Sequence, residues 1–173
     1  NAKASGYTYD GMTVTVTIEV TDNGDGTLST TVSYSDDKEF NNTYEATGTA
    51  EIAVNKTLEG KNLANGQFEF VLTETTTGLT GTAYTETVTN DANGNVSFAD
   101  ISYNQDQVGT HTYSIVETNA GASGYTYDSM TVTVTVVVTG NGNGTLATAV
   151  SYSDDKEFNN TYEATGTAEN IAV

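Results

Sequence analysis

Cysteine, proline, tryptophan and arginine are all missing from the 173 residues. Without cysteine there is no disulfide scaffold, no thiol nucleophile and no thiolate metal centre. Five basic residues, all lysine, stand against 23 acidic ones, for a formal charge of −18. Such a chain repels phosphate backbones and anionic membrane surfaces, which excludes nucleic-acid binding. No apolar run approaches the roughly 20 residues that cross a bilayer, so no membrane insertion is expected of this segment. Neither a signal peptide nor a sorting signal is visible, and the chain is expected to be mature or partial. Helical periodicity of useful length is lacking as well. What remains is rich in Tyr, Val, Thr and Ile, the composition of strands.

The dominant feature is a repeat. Gly6-Tyr7-Thr8-Tyr9-Asp10 returns as Gly124-Tyr125-Thr126-Tyr127-Asp128, an offset of 118 residues (124 − 6 = 118). The stretch from Phe40 to Glu51 returns unchanged at Phe158 to Glu169. Few substitutions separate the copies, among them Ile18 to Val136 and Asp25 to Asn143. A constant offset over some fifty residues predicts a tandem array with a unit of this length. The expected division is residues 1–47 as the C-terminal part of one incomplete repeat, 48–164 as a complete repeat, and 165–173 as the first strand of the next.

Alternating residues mark the strands. Met12, Val14, Val16, Ile18 and Val20 alternate with threonines and Glu19, the Asn23-Gly24-Asp25-Gly26 stretch turns the chain, and Leu28 to Ser35 returns. Glu39 to Tyr44 is expected as a further strand, followed by a short Thr-Gly-Thr connection. In the complete unit, Ile52, Val54, Lys56 and Leu58 share one parity, as do Phe68, Phe70 and Leu72, then His111, Tyr113, Ile115 and Glu117, and finally Phe158, Asn160 and Tyr162. About eight short strands with no helix between them predict an all-β fold, a sandwich of Ig-like type.

Three polar residues interrupt those apolar stripes: Lys56, Glu117 and Asn160. Were they to meet in a low-dielectric core, desolvation would disfavour both charges and leave a neutral amine beside a protonated acid. The amine is then a nucleophile. The acid would hydrogen-bond the Asn160 amide oxygen and polarise its carbon, so attack by Lys56 and loss of ammonia would leave a Lys–Asn amide bond, with Glu117 shuttling the protons. Asn159 is the alternative acceptor should the register slip by one.

These residues also carry a resemblance. Val54-Asn55-Lys56-Thr57-Leu58-Glu59-Gly60, Gly66-Gln67-Phe68-Glu69-Phe70, Tyr113-Ser114-Ile115-Val116-Glu117 and Phe158-Asn159-Asn160-Thr161-Tyr162 follow one another in the order found in the streptococcal pilin isopeptide-linkage domain. The unit from about Thr49 to Glu163 thus resembles a module of Gram-positive backbone pilins and adhesin stalks, with a CnaB-like sandwich. The resemblance implies Lys56 and Asn160 as the bonded pair and Glu117 as the catalytic residue. It implies a structural role in a pilus or fimbria-like fibre on the bacterial cell surface, with neighbouring repeats or identical subunits as partners, no cofactor, no metal, and no turnover chemistry. Asn42 holds the position of Asn160 in the incomplete repeat, whose lysine and glutamate strands would come from preceding chain or from another subunit.

The remaining signals have plainer readings. Asp22-Asn23-Gly24-Asp25-Gly26 lacks the spacing of an EF-hand loop and reads as a hairpin turn. His111, the only histidine, has no ligand cluster around it and reads as a strand residue without chemistry. The rival functions are a ligand-binding adhesin module, recognising glycan or matrix protein of a host or surface through its Tyr- and Thr-rich faces, and a glycosidase using paired carboxylates. The second finds no convergent pair of acids.

Overall fold

The computed structural model describes residues 3–77, 83–118, 120–153 and 155–167. Four strands lie in the first copy of the repeated segment: β1 (Tyr7–Thr8), β2 (Val16–Asp22), β3 (Leu28–Tyr34) and β4 (Thr43–Tyr44). Then come β5 (Thr47–Ala50), β6 (Ala53–Glu59), β7 (Glu69–Glu74), β8 (Thr85–Thr89), β9 (Asn95–Ser97), β10 (Ile101–Asn104) and β11 (Gly109–Glu117). The second copy supplies β12 (Tyr125–Thr126), β13 (Thr131–Gly140), β14 (Leu146–Tyr152) and β15 (Glu157–Tyr162).

Two sheets face each other in a sandwich. One has five strands in the order β14-β13-β11-β7-β8, the other four in the order β12-β15-β6-β9. The inward residues are those of the apolar stripes: Val54, Phe70, Leu72, Ile115, Val132, Val134, Val136 and Phe158 are all buried. Alternation dictates this, because only one parity of each strand can leave water. The first and last strands of the unit, β6 and β15, lie side by side and parallel, with Phe158 opposite Lys56 and Asn160 opposite Leu58. Among the described residues all the other strand pairs are antiparallel, and one isolated parallel bridge joins Thr47 to Thr145.

The first copy keeps the local architecture of the second but not its cover. β2 and β3 form the same hairpin as β13 and β14, and β1 clasps β4 as β12 clasps the end of β15. Yet Ile18 is 61% exposed where Val136 is 0%, and Phe40 is 57% exposed where Phe158 is 0%. The strand expected from Glu39 to Tyr44 is reduced to its last two residues. Its counterpart β15 runs from Glu157 because β6 supplies a parallel neighbour, which the first copy lacks among the described residues.

One expectation is corrected outright. The Thr-Gly-Thr stretch is no mere connection: Thr47–Ala50 pairs antiparallel with Ile101–Asn104. This patch lies over the β13–β14 hairpin, with Gly48 packed against Leu146. The expected next repeat at 165–173 falls mostly on residues 168–173, outside the described residues.

Candidate cross-linking site

Lys56 follows Val54 on the buried parity of β6, in step with Ile52 just before the strand, so the pleat that carries those side chains inward carries the lysine with them. Its position along the core is fixed by the turn before β9. Gly94 accepts the Lys56 backbone N–H at 2.7 Å and holds a φ of +89°. A side chain there would run into the Lys56 carbonyl. Asn160 reaches the same place from the adjacent strand, following Phe158 on the inward parity of β15. Glu117 comes from the opposite sheet, at the end of β11, where it pairs with Phe70.

The three side chains meet, and all are removed from solvent. The Lys56 and Glu117 side chains are both 0% exposed and Asn160 is 1% exposed. Lys56 Nζ donates to Glu117 Oε2 at 2.8 Å and to the Phe158 carbonyl at 3.2 Å. Asn160 Nδ2 donates to the other carboxyl oxygen, Glu117 Oε1, at 2.6 Å. The ammonium position lies 4.7 Å from the centre of the Phe68 ring, and Phe70 meets Phe158 edge to face beside it. Burial pushes the Lys56 amine below the usual lysine range, opposed by its hydrogen bond to Glu117 and by the carboxylates of Glu117 and Asp128.

One expected contact is replaced by another. The acid was expected to hydrogen-bond the Asn160 amide oxygen, but Glu117 receives the amide nitrogen instead. The oxygen, Asn160 Oδ1, accepts the backbone N–H of Asp128 at 2.7 Å. A backbone N–H can only donate, so the atom facing it must be the oxygen, and the orientation of the amide follows. Chemically, the carboxyl spans the two nitrogens that exchange places in an amine-for-amide displacement. It can take a proton from Nζ on one side and deliver it to Nδ2 on the other without moving.

The neighbours sort themselves by parity. Asn159, the alternative acceptor, is exposed on the opposite face, where its Oδ1 accepts the Thr57 hydroxyl. Asn42 is exposed, and its Oδ1 accepts the Asp10 backbone N–H at 3.0 Å. Reading by residue type missed Asp128, although the repetition of Gly-Tyr-Thr-Tyr-Asp in both copies was a signal for it. His111 is buried, donating Nε2–H to the Gln107 carbonyl at 2.8 Å, with Nδ1 3.2 Å from Glu74 and its ring against Tyr103. It ties the start of β11 to the segment before it and to the end of β7. Among the described residues no three His, Asp or Glu side chains converge as a metal site.

A sandwich that places an amine and a carboxamide on its first and last strands, and a bridging acid on the facing sheet, belongs to the class of structural β-modules. The family model described as a Spy0128-like isopeptide containing domain, FctA, matches residues 1–45 and 52–163. The chain belongs to this family, a pilin family of structural rather than catalytic proteins, and membership supports a subunit role in a pilus or fimbrial fibre at the cell surface. No curated protein matches the chain.

Proposed function

We propose that Lys56 and Asn160 condense into an intramolecular isopeptide bond, with Glu117 as the catalytic acid and base, and that the chain is a self-cross-linked segment of a Gram-positive surface fibre built from tandem units. The observation that carries the reading is the Glu117 carboxyl held between the two nitrogens at 2.8 and 2.6 Å among side chains buried from solvent. Neutral Nζ attacks the Asn160 amide carbon, the Nζ proton passes through Glu117 to Nδ2, the C–Nδ2 bond breaks, and ammonia leaves. The reaction happens once per molecule. The expected division into 1–47, 48–164 and 165–173 makes Asn42 the acceptor of an incomplete unit, whose amine would arrive on a segment like residues 48–118.

Intact mass tests the reading. The folded chain should weigh one ammonia less than its sequence, and a peptide map should show Lys56 joined to Asn160. Lys56→Ala, Glu117→Ala and Asn160→Ala should each leave the mass of the substituted sequence unreduced. A folded chain at full sequence mass would refute the bond, and a Glu117→Ala chain that still loses ammonia would refute the assignment of the acid.

A further inference from the structure

Attack on a carboxamide moves the carbonyl π pair onto oxygen. A buried site needs a donor waiting where that charge appears, because no water can rearrange to receive it. In this core the charge would develop on Asn160 Oδ1, and Glu117 faces the other end of the amide. The group already in place is the Asp128 backbone N–H, 2.7 Å from Oδ1. We propose that this N–H is the oxyanion donor of the condensation and that the Asp128 side chain is the positioning group that aims it, a role that rests on the Lys56–Asn160 reading.

The aim comes from a clamp. Asp128 Oδ2 accepts the backbone N–H of Asn159, the residue beside the acceptor, at 2.9 Å. Oδ1 accepts the Met130 N–H at 2.8 Å, which curls the loop so that its own N–H faces β15. One carboxylate thus fixes both the loop and the strand whose side chain must react. The first copy shows that the clamp does not depend on the buried site. There Asp10 accepts from Asn41 at 2.9 Å and from Met12 at 2.8 Å, and its N–H reaches Asn42 Oδ1 at 3.0 Å, although Phe40 is exposed and β6 has no equivalent beside it among the described residues. The donor is therefore set by the local sequence before an amine arrives. In the reaction, C–N bond formation sends the π pair to Oδ1 opposite Asp128 N–H. Collapse of that oxyanion expels Nδ2 as ammonia, with the proton from Nζ delivered by Glu117.

The test follows condensation in time on the full chain, made in a short cell-free pulse, chased, quenched in denaturant and weighed. Replacing Asp128 by the matching α-hydroxy acid keeps the side chain and turns only its N–H into an ester oxygen. That chain should condense on the order of 10²-fold more slowly while ending at the same Lys56–Asn160 bond. Asp128→Ala, which frees the loop, should also be slowed, and Asp10→Ala should match the wild type. If Asp128→Ala fails to fold, the ester decides. An ester that reacts at the wild-type rate overturns the donor and leaves the cross-link standing. A wild-type chain that never loses ammonia overturns both.

Discussion

At the scale of single residues, the site turns on one amine that burial holds below its ordinary range. Only the neutral amine attacks, so the rate of condensation should climb with pH and level off below the ordinary lysine value of about 10.4. A pulse-chase series weighed at several pH values measures it. A rate that keeps rising through the ordinary lysine range would place Lys56 in a solvent-like setting. A second pair reports on stability. Tyr103 and Tyr113 share a 2.7 Å hydrogen bond inside the core, and burial raises both above the usual tyrosine value. Above about pH 10 the unfolded chain loses these protons while the folded chain keeps them, so stability present below that pH is lost as it rises. Urea midpoints should fall from pH 9 to 11. Tyr113→Phe should flatten that fall while costing about 1–3 kcal/mol at neutral pH, since the Tyr103 hydroxyl loses its buried partner. Lys56, Glu117 and Asn160 were legible in the sequence because each breaks an apolar stripe. Asp128 was not, because it acts through its backbone and through a partner 32 residues away.

At the scale of elements, alternation predicted the strands that bury one face and failed where partners decide. Thr47–Ala50 has no large alternating side chains, and it is a strand only because Ile101–Asn104 lies beside it. Phe40 to Tyr44 has the same sequence as Phe158 to Tyr162, yet only Thr43 and Tyr44 pair, because the parallel strand next to β15 has no counterpart beside the first copy among the described residues. Identical sequence with different structure gives an internal control. Amide exchange should be slow across residues 158–162 and fast across 40–42, with the two Asp-clamped amides, at Asn41 and Asn159, differing least. Equal protection in both copies would mean that the first one finds a partner strand in solution.

At the scale of the whole molecule, the repeat was legible from identity alone, but the burial of its faces was not, since cover comes from residues distant in the chain. The Lys56–Asn160 bond would close a loop of about a hundred residues, worth roughly 4 to 5 kcal/mol by the chain-entropy estimate used for disulfides. Lys56→Ala should lose at least that much in denaturant unfolding of the complete unit, more if the emptied site leaves Glu117 unpaired. The parallel pairing of β6 and β15 has a consequence for length. Two parallel neighbours run the same way, so the chain enters a unit at one end and leaves at the other, and units joined in series add their spans. With β6 and β15 joined covalently, the segment between them lies off the line of tension. Without the bond, that segment could unravel to on the order of 340 Å. With it, the module is a link of fixed measure, and a fibre of such links keeps under tension the length it had at rest.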